Sequence, residues 1–168
     1  MASKIQIEVL INKKPGYFAI QGKSFYLGLR IKNIGDEPSE SFNILKIKVH
    51  SAEGKNIFDD LNKSFYIEKL NPNETKDIEV KKQGSIIYGL ATIELQIKLD
   101  IEGAKIDFYQ KNHITEDNYF LGENRWLDFL YIKSSSEHAQ DISNKRITLL
   151  TYVLIGLTII QLIVIFCR

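Results

Sequence analysis

The sequence predicts an all-β, two-layer antiparallel sandwich of about seven to eight strands, followed by one transmembrane α-helix. Two observations carry that reading. Before residue 134, apolar side chains recur at every second position in short segments separated by turn residues, and helical periodicity is nearly absent. Strands with one buried and one solvated face leave that pattern. After residue 146, an uncharged apolar run from Ile147 to Cys167 matches the length of a bilayer crossing.

In the first strand Ile5, Ile7, Val9 and Ile11 alternate with Lys4, Gln6 and Glu8, and a turn is expected over residues 12–16, where Pro15 and Gly16 halt it. Phe25, Leu27, Leu29 and Ile31 then oppose Tyr26, Arg30 and Lys32 in a strand expected at the centre of a sheet, ending at the turn-forming run Asn33-Ile34-Gly35-Asp36. In residues 42–50 the apolar phase moves from Phe42 and Ile44 to Leu45, Ile47 and Val49, as an inserted bulge residue near Leu45 would produce. Phe65, Ile67 and Leu70 precede an Asn71-Pro72-Asn73 turn, and Ile78 and Val80 sit in a lysine-flanked strand suited to a sheet edge. Ala91, Ile93, Leu95, Ile97 and Leu99 give the clearest alternation, and Glu102-Gly103 is expected to turn them into a hairpin with residues 105–110. After a polar excursion over residues 113–125, WLDFLYIK places Leu127, Phe129 and Tyr131 on one side and closes the domain near Lys133.

Three parts result: a sandwich over 1–133, a polar linker over 134–146, and a transmembrane helix over 147–167. The linker, SSSEHAQDISNKR, carries too little apolar surface to fold and reads as a flexible tether or a frayed helix start. At helical rise the final run spans about 31 Å, near the hydrocarbon thickness of a bilayer. Its fourteen Leu, Ile, Val and Phe residues favour insertion by several kcal/mol despite Gln161. The N-terminus alternates and is interrupted by Lys4, Glu8, Lys13 and Lys14, so no cleavable signal is expected there. Lys133, Lys145 and Arg146 precede the helix and only Arg168 follows it, which places the domain on the cytoplasmic side of a tail anchor. The extracellular side remains the alternative, in which case the domain would serve adhesion.

Net charge is +1, from 22 Lys and Arg against 21 Asp and Glu, so no overall field draws nucleic acid. The lone cysteine, Cys167, leaves no intrachain disulfide and stands at the membrane edge, where acylation is an open question. His50, His113 and His138 are scattered, and no zinc, calcium-loop, phosphate-loop or nucleophile-elbow spacing is present, so no metal, no cofactor and no enzyme activity are expected. The acidic pairs Asp59-Asp60 and Glu116-Asp117 read as solvated loops.

The stretch LGLRIKNIGDEPSESFNILKIKVHSAEGKNI, followed by FYIEKLNPNETKDIEV and GLATIELQIKLD, resembles the CARDB-type immunoglobulin-like domain of prokaryotic surface proteins over roughly residues 20–110. The matching features are Asn33-x-Gly35 at a strand end, a small polar run before Phe42, a turn at Glu53-Gly54, the Leu70-x-Pro72 turn, and a last strand closing on Asp100. They are scaffold features, in which Asn and Gly supply left-handed backbone and Pro sets a turn. An immunoglobulin-like domain, a polar spacer and a tail anchor are similar in arrangement to the MSP-domain tethering proteins.

The expected function is a non-enzymatic single-pass membrane protein that presents its sandwich for protein–protein interaction or scaffolding, with the lipid bilayer and an unidentified protein as partners. Candidate partner-binding residues are Tyr109, Tyr119, Phe120 and Trp126, aromatics gathered around the late excursion; the competing reading makes them caps of the core. Thr151, Thr158 and Gln161 share one stripe of the membrane helix and are candidates for helix association. The alternative function is a structural subunit of a larger membrane complex, oligomerised through that stripe.

Overall fold

The computed structural model describes residues 3–16, 18–51, 56–61, 64–84, 88–111, 118–123 and 125–166, with backbone alone at 56–61, 81–84, 118–123 and 125. It divides into two compact units, Met1–Lys133 and Ser134–Arg168. The first contains β1 (Ser3–Ile11), β2 (Lys14–Pro15), β3 (Phe18–Ile20), β4 (Ser24–Asn33), β5 (Phe42–Ser51) and β6 (Asn56–Leu61), then β7 (Phe65–Ile67), β8 (Thr75–Gly84), β9 (Gly89–Leu99), β10 (Ile106–Lys111), β11 (Asn118–Glu123) and β12 (Arg125–Lys133). The second is one helix, α1 (Ser135–Phe166).

The strands form two sheets. The first runs β11-β10-β1-β4-β8, with β2 beside β1; the second runs β3-β12-β9-β5-β6, with β7 beside β5. Pairing is antiparallel except for β1 with β10 and β12 with β3. The fold is therefore all-β, as the alternation predicts, and the strands beyond the expected seven or eight include the short segments β2, β3 and β7.

Alternation dictates which side chains meet between the sheets. Phe25, Leu27, Leu29 and Ile31 of β4 are buried, as are Ile5, Ile7 and Val9 of β1 and Ile93, Leu95 and Ile97 of β9. Phe42 of the second sheet meets Phe108 of the first edge to face, centroids 5.5 Å apart at 80°, a geometry that suits the aromatic quadrupoles. The bulge falls at Leu45: Ile44 pairs with Ile97 and Lys46 with Gln96, so Leu45 is skipped and 39% exposed while Ile47 and Val49 return to the core. β4 lies between β1 and β8, and β8 ends its sheet. A second irregularity, between Leu27 and Gly28, brings the chains so close that a Cβ on Gly28 would lie 2.8 Å from the Ile78 carbonyl oxygen. Only glycine fits there.

Four expectations are corrected. The proposed hairpin of residues 91–99 with 105–110 does not form: β9 pairs with β5 and β12, whereas β10 crosses to the first sheet beside β1. The turn carries Gly103 at φ 82° but joins the two layers, because Ile106 and Phe108 fill the core opposite the second sheet. The halt at Pro15 is instead a tight return, in which Asn12 and Lys13 take φ 54° and 66° and Pro15 pairs with Leu10. Asn33 and Gly35 do not hold left-handed backbone; in that region Asn73 does, at φ 64°. The segment 134–146, read as a flexible tether or a frayed helix start, is the opening of α1, so the expected boundary at Ile147 falls inside one continuous helix. Ser134 Oγ accepts from the Glu137 amide at 3.1 Å and the Glu137 carboxylate accepts from the Ser134 amide at 2.6 Å, a reciprocal cap that satisfies two otherwise orphaned donors. Of the family-like features, the Glu53-Gly54 turn lies outside the described residues.

The role of Asn33 is to close the polar account at one end of the sandwich. It is fully buried. Its amide nitrogen donates to the Glu37 and Leu70 carbonyls, both at 2.8 Å, and its Oδ1 accepts from the Gly35 amide at 2.9 Å. Ser39 and Leu70 exchange two further bonds, Ser39 N–H to the Leu70 carbonyl at 2.9 Å and Leu70 N–H to Ser39 Oγ at 3.0 Å. One side chain thus ties the connection after β4 to the connection after β7. Asn33→Ala removes three hydrogen bonds and the side chain that joins the two connections, and is expected to lower the unfolding free energy by roughly 2–4 kcal/mol. Thermal melts of the full chain in mild detergent, followed by Trp126 fluorescence, measure it.

On the outer face of the first sheet, Arg30 Nε and Nη2 donate to the two carboxylate oxygens of Asp77 at 2.8 Å each, and Arg30 Nη1 stands 3.9 Å from Glu8. The guanidinium's hydrogen bonds hold Asp77 below the ordinary carboxylate value of 3.8. A depressed folded value means stability that is present at neutral pH and lost as pH falls through it. The pair is half exposed, so solvent screening keeps its contribution to about 0.5 kcal/mol. Asp77→Asn should differ from wild type by that amount above about pH 5, and the two should converge below 3.8 in stability measured against pH.

Candidate functional site

The two sheets turn different outer faces to their surroundings. The first shows the Arg30, Asp77 and Glu8 network, an ordinary solvated surface. The second shows apolar side chains in register. β12 alternates so that Trp126, Asp128, Leu130 and Ile132 point inward and are buried, leaving Leu127 39% and Phe129 44% exposed on the outside. Pairing then sets the neighbours. Phe18 of β3 lies beside Tyr131, which lies beside Leu90 of β9; Phe129 lies beside Thr92, and Leu127 beside Glu94. Phe18 is 61% and Leu90 49% exposed. Phe18 and Tyr131 meet edge to face with centroids 6.2 Å apart, and Lys133 Nζ sits 5.0 Å from the centre of the Phe18 ring, within cation–π range.

Lysines border this apolar strip. Lys48 is opposite Glu94, Lys46 opposite Gln96, and Lys98 opposite Asn43, whose amide donates to Asp100. The sequence contains the strip's signal, Leu127, Phe129 and Tyr131 at alternate positions, but the other set of β12 holds Asp128 and so looks the less apolar of the two. The fold buries Asp128 all the same, where its carboxylate accepts from Gln110 Nε2 of the opposite sheet and from the Phe129 amide.

The candidate aromatics do not come together as one surface. Trp126 is a correction: at 1% exposure it belongs to the core and offers a partner no contact. Its burial follows from sharing a strand face with Leu130 and Ile132. Tyr109 is half-buried on β10, where the backbone pairs it with Phe120 and pairs Gln110 with Tyr119. The side chains of Tyr119 and Phe120 lie outside the described residues.

In α1 the three candidate residues share the expected stripe, but two already use their hydroxyl protons. Thr151 donates to the Ile147 carbonyl and Thr158 to the Leu154 carbonyl, each at 2.9 Å, the local back-bonding open to Thr in helices. Gln161 is the remaining polar side chain of the stripe. None of the helix is buried, and it is long and apolar enough to cross a membrane. Cys167 lies outside the described residues, as do Glu116 and Asp117.

Among the described residues no group of three or more His, Cys, Asp or Glu side chains gathers where it could hold a metal. Hollows dent the first unit, and two are defined by described residues. One, of about 230 Å³, lies over the Gly28 irregularity and is lined by Leu10, Tyr26 and Ile78; the other, of about 600 Å³, is wide open between Ser3, Glu40 and Lys105. Neither gathers a histidine or a cysteine among its lining residues.

No family model matches the sequence, and no curated protein does. Solved structures do match. The crystal structure of the CARDB domain of the PF1109 protein from Pyrococcus furiosus, described in complex with di-metal ions, is 15% identical with a TM-score of 0.42, covering 79% of this chain and 89% of that one. The solution structure of the same domain gives 0.41 at 15% identity, covering 79% and 95%. Native alpha-2-macroglobulin from Escherichia coli, from domain MG7 to the C-terminus, gives 0.50 at 14% identity over 80% of this chain, which spans 17% of that chain's length. At 14% identity the alpha-2-macroglobulin likeness shows the fold alone, and it agrees with the two-sheet β-sandwich of the first unit.

Proposed function

We propose that this chain is a non-enzymatic, single-pass membrane protein whose C-terminal helix holds the sandwich at a bilayer surface for protein–protein interaction or scaffolding. One observation carries the reading: Ser135–Phe166 is a single helix with no buried residue, and from Ile147 onward it bears no charge. Such a surface is stable in hydrocarbon and costly in water, because every apolar side chain left solvated forfeits its transfer free energy. The immunoglobulin-type fold supports the binding half of the reading, since such sandwiches present rigid edges and faces. β8 ends the first sheet, and an extended segment of a protein partner added along it is the recognition mode that an edge of this kind permits.

Lys133, Lys145 and Arg146 before the apolar run, against Arg168 after it, favour a cytoplasmic domain. Full-length protein in vesicles is expected to resist extraction at alkaline pH and to release the domain to protease added on the cytoplasmic side. Folded, monomeric protein in the aqueous fraction without detergent would overturn the reading.

A second reading, assembly into a larger membrane complex through the helix, rests on the exposed stripe that contains Gln161. If it holds, Gln161→Leu lowers helix association by about 1 kcal/mol in a membrane two-hybrid or energy-transfer assay. Unchanged association removes its support.

A further inference from the structure

We infer that the outer face of the second sheet is a lipid-contacting surface, which lies against the bilayer in which the chain's own helix is anchored. The inference rests on the anchoring proposed above and goes beyond it by assigning this face and its ligand, the interfacial zone of an anionic membrane.

The argument begins with the asymmetry of the two faces. On the outer face of the first sheet Arg30 is forked onto Asp77 and stands near Glu8, and Lys13 stands near Glu79. On the outer face of the second sheet, Phe18, Tyr131, Leu90, Phe129 and Leu127 form neighbouring rungs, and among the side chains described there Lys46, Lys48, Lys98 and Lys133 outnumber Glu94 and Asp100. Aromatic rings with aliphatic side chains and a lysine border are the composition that partitions to the headgroup level, where rings enter the acyl boundary and ammonium groups meet lipid phosphates. A freely soluble domain would carry such a strip as an aggregation liability.

Chain connectivity supplies the second part. β12 contributes Leu127, Phe129, Tyr131 and Lys133 to the strip, and α1 begins at Ser135. The twelve residues between the start of α1 and Ile147 measure about 18 Å as helix, a tether short enough for the strip to reach the bilayer that the helix enters. Docking is then intramolecular, and contacts too weak to bind from solution become effective through the high local concentration.

The test uses the full chain in a Cys167→Ser background, inserted into vesicles of phosphatidylcholine alone or mixed with phosphatidylserine. An environment-sensitive fluorophore is attached at Leu90→Cys in the strip or at Tyr26→Cys on the opposite sheet, and nitroxide-headgroup lipids serve as quenchers. Circular dichroism confirms that both variants fold. The label at Leu90→Cys is expected to shift to the blue and to be quenched several-fold more than that at Tyr26→Cys, more strongly with phosphatidylserine. Lys48→Gln should lower the docked fraction ratio in phosphatidylserine vesicles about fivefold, the factor for one lysine at an anionic surface. Equal quenching at the two sites in alkali-resistant protein overturns the inference and leaves the anchoring intact. Crosslinking between copies through Leu90→Cys, or protection of that site only by a bound protein, also overturns it. Release from vesicles at alkaline pH overturns both.

Discussion

Everything in the first unit depends on one constraint, that two sheets must present apolar faces to each other and find hydrogen bonds for buried polar side chains such as Asn33 and Asp128. Alternation supplies the faces, and Phe42 against Phe108 is where the layers meet most directly. The constraint explains the irregularities as well. Leu45 is looped out of β5 so that Ile47 and Val49 can rejoin Phe42 and Ile44 inside, and the close approach at Gly28 seats a second irregularity without opening the first sheet. It also explains why Asp128 can occupy an inward position: Gln110 reaches across from the other layer to bond it, which makes burial of the carboxylate tolerable.

The same accounting governs the ends of the strands. Asn33 uses both amide protons and its carbonyl to satisfy groups from two connections that are distant in sequence. A residue of this kind adds little to the core volume, yet its loss removes three hydrogen bonds at once, with only the Leu70 carbonyl keeping another donor, the Ser39 amide. At the far end of β12 the chain meets a different solution. Ser134 and Glu137 cap the helix reciprocally, so that the helix starts directly after the last strand and runs without a break into its apolar part.

Function follows from what these constraints leave outside. With Trp126 drawn into the core by its strand phase, the aromatic character of the late strands is expressed on the opposite side of β12, in Phe129 and Tyr131 beside Phe18 and Leu90. The first sheet shows the Arg30, Asp77 and Glu8 cluster on its exterior. The proposed work beside a membrane rests on this apolar outer face and on a helix long and apolar enough to cross a bilayer.

The order of the apolar and polar residues by itself determined the β class, the inward sets of β1, β4 and β9, the bulge at Leu45 and the apolar helix, because each is a local periodicity that any fold of this chain must respect. Which strands would pair was not legible there. The turn at Gly103 reads as a hairpin turn from local chemistry, and only the need to fill the core behind Phe42 sends β10 to the other layer. The phase of β12 was equally undecided, since both of its faces are apolar apart from Asp128, and a distant glutamine settles it. Asn33 looks like a turn residue until the carbonyl of Leu70 arrives from another loop. Periodicity is a property of neighbours along the chain; partnership between layers exists only once distant segments are packed, and there the tertiary structure alone decides.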